Sequence, residues 1–178
     1  MSRIDFNDLS YLSKGNSRQQ RAYKVIDNRK IMKVLNDFTP FLAGTIPLGV
    51  DIPESDLDII CCFHDSHPFL ICIDIFKEHA DYQFKHFRHN GVETVIAGFF
   101  VDGLRFEIFG QPRPVRIQEA YRHLLIEQEI LLAKGEAFAK EVVALKESGM
   151  KTEPAFAHLL GLTGDPYAAL LSFDLRML

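Results

Sequence analysis

Residues 44–60 of the chain read GTIPLGVDIPESDLDII, and this stretch says more about the fold than any other. Asp56 and Asp58 stand where a loop rich in proline and glycine gives way to an apolar run typical of a β-strand. Side chains two residues apart in a strand point to the same face of a sheet. The sequence therefore predicts two carboxylates side by side at the start of a strand.

Two carboxylates this close repel each other, and a divalent cation removes the repulsion. Carboxylate oxygens are hard ligands, which suit Mg²⁺ or Mn²⁺. A third carboxylate is available from Glu107, which lies in the alternating, strand-like segment Leu104–Phe109. If that segment lies beside the predicted strand Leu57–Phe63, then Asp56, Asp58 and Glu107 form one metal-binding cluster.

The residues before the two aspartates suit a phosphate group. Gly44 allows the backbone to approach a phosphate closely, and Thr45 offers a hydroxyl followed by backbone N–H groups. Ser55 has two interpretations: it hydrogen-bonds a phosphate, or it caps the turn before Asp56. We expect Gly44 and Thr45 to bind the phosphates of a ligand.

The rest of the chain predicts an α+β fold. We expect a loosely held arm over the first 15 residues and an irregular loop around Pro47, Gly49 and Pro53. A helix capped by Asn16 or Ser17 should run to Asp37, whole or broken near Asp27-Asn28. The other predicted strands are Phe41–Ala43 and an antiparallel meander of Gln83–His89, Thr94–Val101 and Leu104–Phe109, with turns at Asn90-Gly91 and Asp102-Gly103. The other predicted helices are Ser66–His79, Ile117–Lys134, Glu136–Glu147, Glu153–Leu160 and Pro166–Phe173.

Composition narrows the class of protein. A chain of 178 residues, 47% hydrophobic and 25% charged, is typical of a globular protein with one domain or one domain and a helical annex. We expect a mixed or antiparallel sheet flanked by helices over residues 1–112 and a C-terminal helical segment over residues 113–178. No apolar run is long enough to cross a bilayer, and the N-terminus lacks the apolar centre of a signal peptide.

Charge and cysteine content bear on partners and location. The net charge of −4 argues against long nucleic acid as a partner. The three cysteines, Cys61, Cys62 and Cys72, lie among apolar residues, which predicts free thiols in a reducing compartment such as the cytoplasm.

The pattern around the aspartates resembles that of the nucleotidyltransferase superfamily, which has the polymerase-beta-like fold. The matching residues are Ala43-Gly44-Thr45, a ten-residue spacer from Ile46 to Ser55, then Asp56-Leu57-Asp58-Ile59, and later Glu107. In particular, the chain is similar to the bacterial family DUF4269 over most of its length. That likeness rests on Arg18–Tyr23, Gly44–Cys61, Glu107–Pro112, Tyr121–His123 and Gly164–Tyr167.

The resemblance implies a metal-dependent transfer of a nucleoside monophosphate from a nucleoside triphosphate to an acceptor, with release of pyrophosphate. The implied catalytic and metal-binding residues are Asp56, Asp58 and Glu107, with Mg²⁺ or Mn²⁺ as the cofactor. The implied nucleotide-binding residues are Gly44, Thr45, Ser55 and Arg122.

The chain departs from the superfamily pattern in two ways. Thr45 stands where glycine or serine is usual, and the spacer has no basic residue. Positive charge for a triphosphate must then come from elsewhere, and the candidates are Arg105, Arg113, Arg116 and Arg122.

Several alternatives stay open at this stage. The acidic balance favours a small molecule or a protein side chain as acceptor, and neither the base preference nor the oligomeric state is indicated. The same fold also suits a nucleotide-binding module without turnover or an interaction protein. His123 is interpreted as bonding a neighbouring backbone group, with a role in the substrate pocket as the alternative, while Gln111 either contacts a base or sugar or satisfies loop backbone groups.

Overall fold

The computed structural model describes residues 3–178, and within them five strands form one mixed sheet. The strands are β1 (Phe41–Ala43), β2 (Leu57–Cys62), β3 (Ala80–His89), β4 (Val92–Val101) and β5 (Leu104–Gln111). Their order across the sheet is β1-β2-β5-β4-β3. β2 and β5 are parallel, and the other neighbouring strands are antiparallel. The sheet and its helices confirm the predicted α+β class, and β3, β4 and β5 form the predicted meander.

The helices also follow the sequence pattern closely. They are α1 (Ser17–Asn28), α2 (Ile31–Val34), α3 (Thr45–Leu48), α4 (Ser66–Ile73), α5 (Glu119–Glu147), α6 (Thr152–Leu159) and α7 (Pro166–Leu171). Asn16 caps α1 in a capping box with Gln19, and the predicted break separates α1 from α2. Inside α5, Gly135 has a φ of 78°, so the helix is kinked at the glycine where we expected one helix to end.

The alternation of strand side chains divides the core in two. On the first face of the sheet, Ile59 and Phe106 pack with residues of α1 and α4, such as Val25 and Phe69. On the second face, Ile60 and the strand β1 pack with residues of α5, α6 and α7. Arg105, Glu107 and Phe109 point to this second face, opposite the buried Leu104, Phe106 and Ile108, as their parity predicts.

Two local predictions are wrong. The N-terminal residues are not a loose arm, because Phe6 and Leu12 are buried and Leu9–Lys14 forms a 3-10 helix. Their apolar residues are too few to show a periodic pattern, and Phe6 is buried through residues distant in the chain, such as those of α5. The expected loop around Pro47 contains α3, which Gln19 stabilises because its Nε2 donates to the carbonyl oxygens of Ile46 and Pro47, at 2.8 and 3.2 Å.

Two findings bear on the environment of the protein. None of the helices formed by residues 3–178 combines the length and the hydrophobicity that a bilayer crossing requires. Cys61, Cys62 and Cys72 are free thiols, as the sequence predicts.

Candidate metal and nucleotide site

Two of the three predicted carboxylates adjoin on the second face of the sheet. Asp58 of β2 stands directly beside Glu107 of β5 in the parallel register. Side chains that are opposite in neighbouring strands share a face, so both carboxylates project on the same side. The prediction that β5 lies next to β2, with Glu107 on the face of the aspartates, is confirmed.

The surroundings of these two groups favour their neutral forms. Burial, together with the charges of Glu107, Asp56 and Glu153, raises the pKa of Asp58 to about 8. Burial and the charge of Asp56 also raise the pKa of Glu107. Carboxylates that are destabilised by one another and by burial gain from a nearby cation, which is the behaviour expected of metal ligands.

Gly44 lies against the Asp58 carboxylate. An added Cβ at position 44 would overlap with Asp58 Oδ2, and the glycine has a φ of 79°, which other residues rarely adopt. The glycine therefore makes room for the Asp58 side chain at the start of α3. From the sequence, we explained Gly44 by the close approach of a phosphate. The structure adds a second reason for a glycine at this position, which is the space that the Asp58 carboxylate occupies.

Thr45 and Ser55 join the two ends of the spacer. The Thr45 hydroxyl donates to Ser55 Oγ at 3.3 Å, and Ser55 Oγ accepts from the backbone N–H of Ile52 at 3.0 Å. Thr45 is nearly buried, with 9% of its surface exposed. Ser55 thus caps the turn before Asp56, which is one of its two interpretations.

Asp56 lies near the other two acids but pairs with an arginine. Its Oδ2 is 3.6 Å from Arg105 Nε. Burial raises the pKa of Asp56, while the charges of Arg105 and Arg18 oppose the rise. Within residues 3–178, no three His, Cys, Asp or Glu side chains converge closely enough to hold a metal ion. The predicted cluster is therefore present as an adjoining pair, with the third carboxylate turned to Arg105.

Two basic side chains, Arg18 and Lys146, bind the spacer, and the sequence did not indicate either as a site residue. Arg18 of α1 donates to the carbonyl oxygens of Pro53 and Ser55, at 3.0 and 2.6 Å, and its Nε is 3.4 Å from Asp51 Oδ2. Lys146 of α5 is buried, and its Nζ donates to the carbonyl oxygen of Val50 at 2.9 Å.

Lys146 is surrounded by acids. Burial lowers its pKa, and the opposing charges are those of Asp51, Glu127, Glu153 and Asp58. Its position four residues after the buried Val142, on the apolar stripe of α5, is the signal that would have drawn attention to it. The spacer has no basic residue of its own, and Arg18 of α1 and Lys146 of α5 bring positive charge to it.

Of the four predicted phosphate-binding arginines, only Arg105 reaches the carboxylates. Arg116 donates to Tyr121 Oη and to Asn7 Oδ1, at 3.1 and 3.2 Å. Arg113 and Arg122 are exposed, and no hydrogen bond or ion pair in residues 3–178 links either side chain to the acids. The positive charges of Lys85, Arg105 and Lys151 oppose the rise in the pKa of Glu107 that burial and Asp56 cause.

The two residues with open interpretations have structural partners. His123 Nε2 hydrogen-bonds the carbonyl oxygen of Tyr167 at 3.1 Å, which confirms the interpretation that it bonds a backbone group. Gln111 is buried, and its Nε2 donates to the Thr94 hydroxyl at 2.9 Å. His123 Nδ1 is 3.7 Å from Glu153 Oε1, and within residues 3–178 no hydrogen bond joins His123 or Gln111 to Asp58 or Glu107.

Comparison with solved structures identifies the fold as nucleotidyltransferase-like. The chain is similar to GLD-2 in the GLD-2/RNP-8 complex, with a TM-score of 0.56 and 14% identity over 95% of this chain and 73% of that chain. It is similar to the Cid1 poly(U) polymerase bound to MgGTP, with a TM-score of 0.54 and 11% identity over 78% of this chain and 46% of that chain. It is also similar to a cytoplasmic RNA terminal U-transferase, with a TM-score of 0.51 and 12% identity over 78% of this chain and 44% of that chain. The chain spans about half the length of the Cid1 structures.

Sequence comparison then gives the family. Residues 24–173 match the family described as "Domain of unknown function (DUF4269)", and the chain belongs to that family. No curated protein matches the chain in sequence.

Proposed function

We propose that this protein is a metal-dependent nucleotidyltransferase, which transfers a nucleoside monophosphate from a nucleoside triphosphate to an acceptor oxygen and releases pyrophosphate. The observation that carries the proposal is the placement of Asp58 beside Glu107, with Gly44 against Asp58, on a sheet of the nucleotidyltransferase fold. The acceptor that we propose is a small molecule or a protein side chain, and the free thiols support a cytoplasmic location.

The donor set suits Mg²⁺ or Mn²⁺. Asp58 and Glu107 offer hard oxygen ligands whose ionised forms are destabilised by burial, and Asp56 would join them on leaving Arg105. When bound, the cation would neutralise charge on the triphosphate and on the acceptor oxygen. That the Cid1 structure contains MgGTP supports the choice of ion.

The side chains of the site have distinct roles in the proposal. Glu107 accepts the proton of the acceptor in this proposal, as a carboxylate that adjoins Asp58. The acceptor oxygen then bonds to the α-phosphorus as the bond to pyrophosphate breaks. Gly44, Thr45 and Ser55 hold the triphosphate in this proposal, and the exposed Arg122 contacts the nucleotide. Arg105, once released by Asp56, adds positive charge.

The experiment combines binding with turnover. Thermal unfolding of the protein is measured with each of the four common ribonucleoside triphosphates, with and without Mg²⁺, and pyrophosphate release is followed with candidate acceptors present. We expect a Mg²⁺-dependent rise in Tm that Asp58→Asn abolishes. Asp27→Asn, an exposed carboxylate on α1, is the control and should behave as the wild type. Absence of any Mg²⁺-dependent effect of all four triphosphates would contradict the proposal.

A nucleotide-binding module without turnover is the second candidate. It is favoured by the Asp56–Arg105 pair, which leaves two adjoining carboxylates where three are expected. In that case the Mg²⁺-dependent rise in Tm persists, but no pyrophosphate appears over long incubation. An interaction protein that keeps only the fold predicts no response to nucleotide.

A further inference from the structure

The helices cover only part of the second face of the sheet. Residues of α5, α6 and α7 pack over β1, β2 and Phe109, whereas Ile96, Phe87 and Phe100 take no part in this apolar core within residues 3–178. Phe87 and Phe100 are 39% and 40% exposed. We call this uncovered area the open patch, and it consists of Gln83, Lys85, Phe87, Ile96, Phe100 and Arg105.

The strand register places the open patch next to Glu107. Glu107 stands opposite Gly98 of β4, and Gly98 stands opposite Gln83 of β3. Along β4, Ile96 and Phe100 lie two residues to either side of Gly98, on the same face. The carboxylate that we propose as the base therefore lies at the border of an apolar surface.

Arg105 extends over this surface toward Gly98. A Cβ at position 98 would be 3.4 Å from Arg105 Nη2, an ordinary van der Waals contact, so the guanidinium lies over the residue of β4 that stands opposite Glu107. Phe100 stands opposite Arg105 in the register. Arg105 and the ring of Phe100 thus lie side by side on the face that also carries Glu107.

The charges of the open patch are complementary to a small anion. Arg105 lies two residues from Glu107 on the same face of β5, and Lys85 lies on the same face of β3, two residues from the Gln83 that stands in line with Gly98 and Glu107. The exposed rings offer stacking surface to a planar group, and the two cations can bind one phosphate or carboxylate. A long nucleic acid would need many more cations along its path, and the chain has a net charge of −4.

We propose that the open patch binds the acceptor of the transfer reaction, and that this acceptor is a small molecule with a planar ring, one anionic group and a hydroxyl. The ring lies on Phe100, the anionic group pairs with Arg105 and Lys85, and the hydroxyl reaches Glu107. This inference rests on the proposed function, because only a transferase needs an acceptor oxygen at Glu107. The hydroxyl proton passes to Glu107, the oxygen bonds to the α-phosphorus of the triphosphate, and pyrophosphate leaves.

The test measures binding to the full chain when the nucleotide site is already filled with Mg²⁺ and a non-hydrolysable triphosphate. The probes are AMP and phenyl phosphate, which have a planar ring and an anionic group, ribose 5-phosphate, which has no planar ring, and adenosine, which has no anionic group. We expect AMP and phenyl phosphate to bind at least tenfold more tightly than the other two. Of AMP and phenyl phosphate, only AMP carries an alcohol hydroxyl, so AMP should release pyrophosphate with a hydrolysable triphosphate and phenyl phosphate should not.

Exposed residues provide matched variants. Phe100→Ala and Lys85→Gln should each weaken AMP binding at least fivefold. Phe84→Ala is the control for the ring, since Phe84 is 47% exposed and pairs with Ala97 of the first-face core. Arg88→Gln is the control for charge, because Arg88 also points to the first face of β3. Both controls should bind AMP as the wild type does.

Three results would overturn the inference while the proposed function stands. The first is that neither AMP nor phenyl phosphate binds to a protein that Mg²⁺ and triphosphate stabilise. The second is that Phe84→Ala and Phe100→Ala weaken AMP binding equally. The third is that a single-stranded RNA hexamer binds more than tenfold more tightly than AMP. A wild type with no Mg²⁺-dependent response to triphosphate overturns the proposed function, and the inference fails with it.

Discussion

The glycine at position 44 has two independent reasons to lack a side chain. Its φ of 79° disfavours any other residue, and the Asp58 carboxylate occupies the space that a Cβ would need. Gly49, five residues on, shares only the first reason, since its φ is 71° and a Cβ there would have no neighbour closer than 3.9 Å. The two glycines also differ in ψ, which is −161° at Gly44 and 23° at Gly49, so the steric overlap is isolated by removing the Asp58 side chain.

We expect Gly49→Ala to lower the free energy of unfolding by about 1–2 kcal/mol, which is the cost of a left-handed conformation. Gly44→Ala should cost at least about 2 kcal/mol more, because Asp58 must move. Urea unfolding measures both values. In an Asp58→Ala background the cost of Gly44→Ala should fall by about 2 kcal/mol, and equal costs in both backgrounds would contradict the overlap.

Glu127 is a buried acid without a hydrogen-bond partner for its Oε1. Burial, followed by the charge of Glu153, raises its pKa well above the ordinary value of 4.5, although the charge of Lys146 acts in the opposite direction. The folded state therefore binds a proton that the unfolded state releases at lower pH. Its contribution to stability is complete below about pH 4.5 and is lost as the pH rises through the folded-state pKa.

Glu127→Gln should remove this pH dependence. Relative to the wild type, we expect the variant to gain stability steadily from pH 5 to pH 8.5, because its amide has no proton to lose. Urea unfolding at several pH values measures the difference. Glu136→Gln, on the exposed side of α5, is the control and should follow the wild type throughout. Parallel curves for Glu127→Gln and the wild type would contradict the expectation.

Among the elements, α1 holds both ends of the spacer, with Gln19 at its beginning and Arg18 at its end. Arg18 reaches the carbonyl oxygens of Pro53 and Ser55, which lie just before Asp56 in the chain. Arg21 lies on the same helix, and its Nη2 donates to the carbonyl oxygen of Asp102 at an exposed position. The two arginines therefore differ in what they hold: one fixes the loop that leads into β2, and the other a surface turn.

Arg18→Met should lower the free energy of unfolding by about 2 kcal/mol, since it leaves the part-buried carbonyl oxygen of Ser55 and the carboxylate of Asp51 without their partner. It should also speed amide hydrogen exchange in residues 51–56 without affecting β4. Arg21→Met should cost less than about 1 kcal/mol and leave exchange in that segment unchanged. Faster exchange throughout the sheet after Arg18→Met would indicate global destabilisation instead of a local role.

Across the whole molecule, the helical segment and the sheet share one apolar core. Phe41 and Ile60 of the sheet pack in the same cluster as Leu124, Val142 and Phe156 of the helices. A fragment of residues 1–112 would expose the two sheet residues to water. Each large side chain contributes about 1.5–3 kcal/mol when buried, which is large beside the stability of a small domain.

We therefore expect residues 1–112 not to fold alone, although the sequence divides the chain at that point. Circular dichroism should show no cooperative thermal transition for this fragment, in contrast to the full chain. Adding residues 113–178 as a separate peptide should restore a transition. A cooperative transition of the fragment by itself would mean that the first-face core is sufficient.

The sequence predicted what depends on neighbours in the chain. Asn16 capped a helix, Asn90-Gly91 and Asp102-Gly103 formed turns, and the parity of Glu107 placed it on the face of Asp58. Contacts between distant segments were beyond such patterns. Neither the overlap of Gly44 with Asp58 nor the bond from Lys146 to Val50 leaves a local signal, because each depends on how separate elements pack.

The parallel pairing of β2 with β5 also bears on how the chain is made. Because β4 and β3 lie beyond β5, the edge of β2 that faces β5 has no partner until residues 104–111 have left the ribosome. Pairings between segments far apart in sequence form slowly, and an apolar strand with an unpaired edge invites association with other chains. During synthesis, the stretch that ends in Ile59-Ile60-Cys61 is thus the part of the nascent chain that most needs a chaperone.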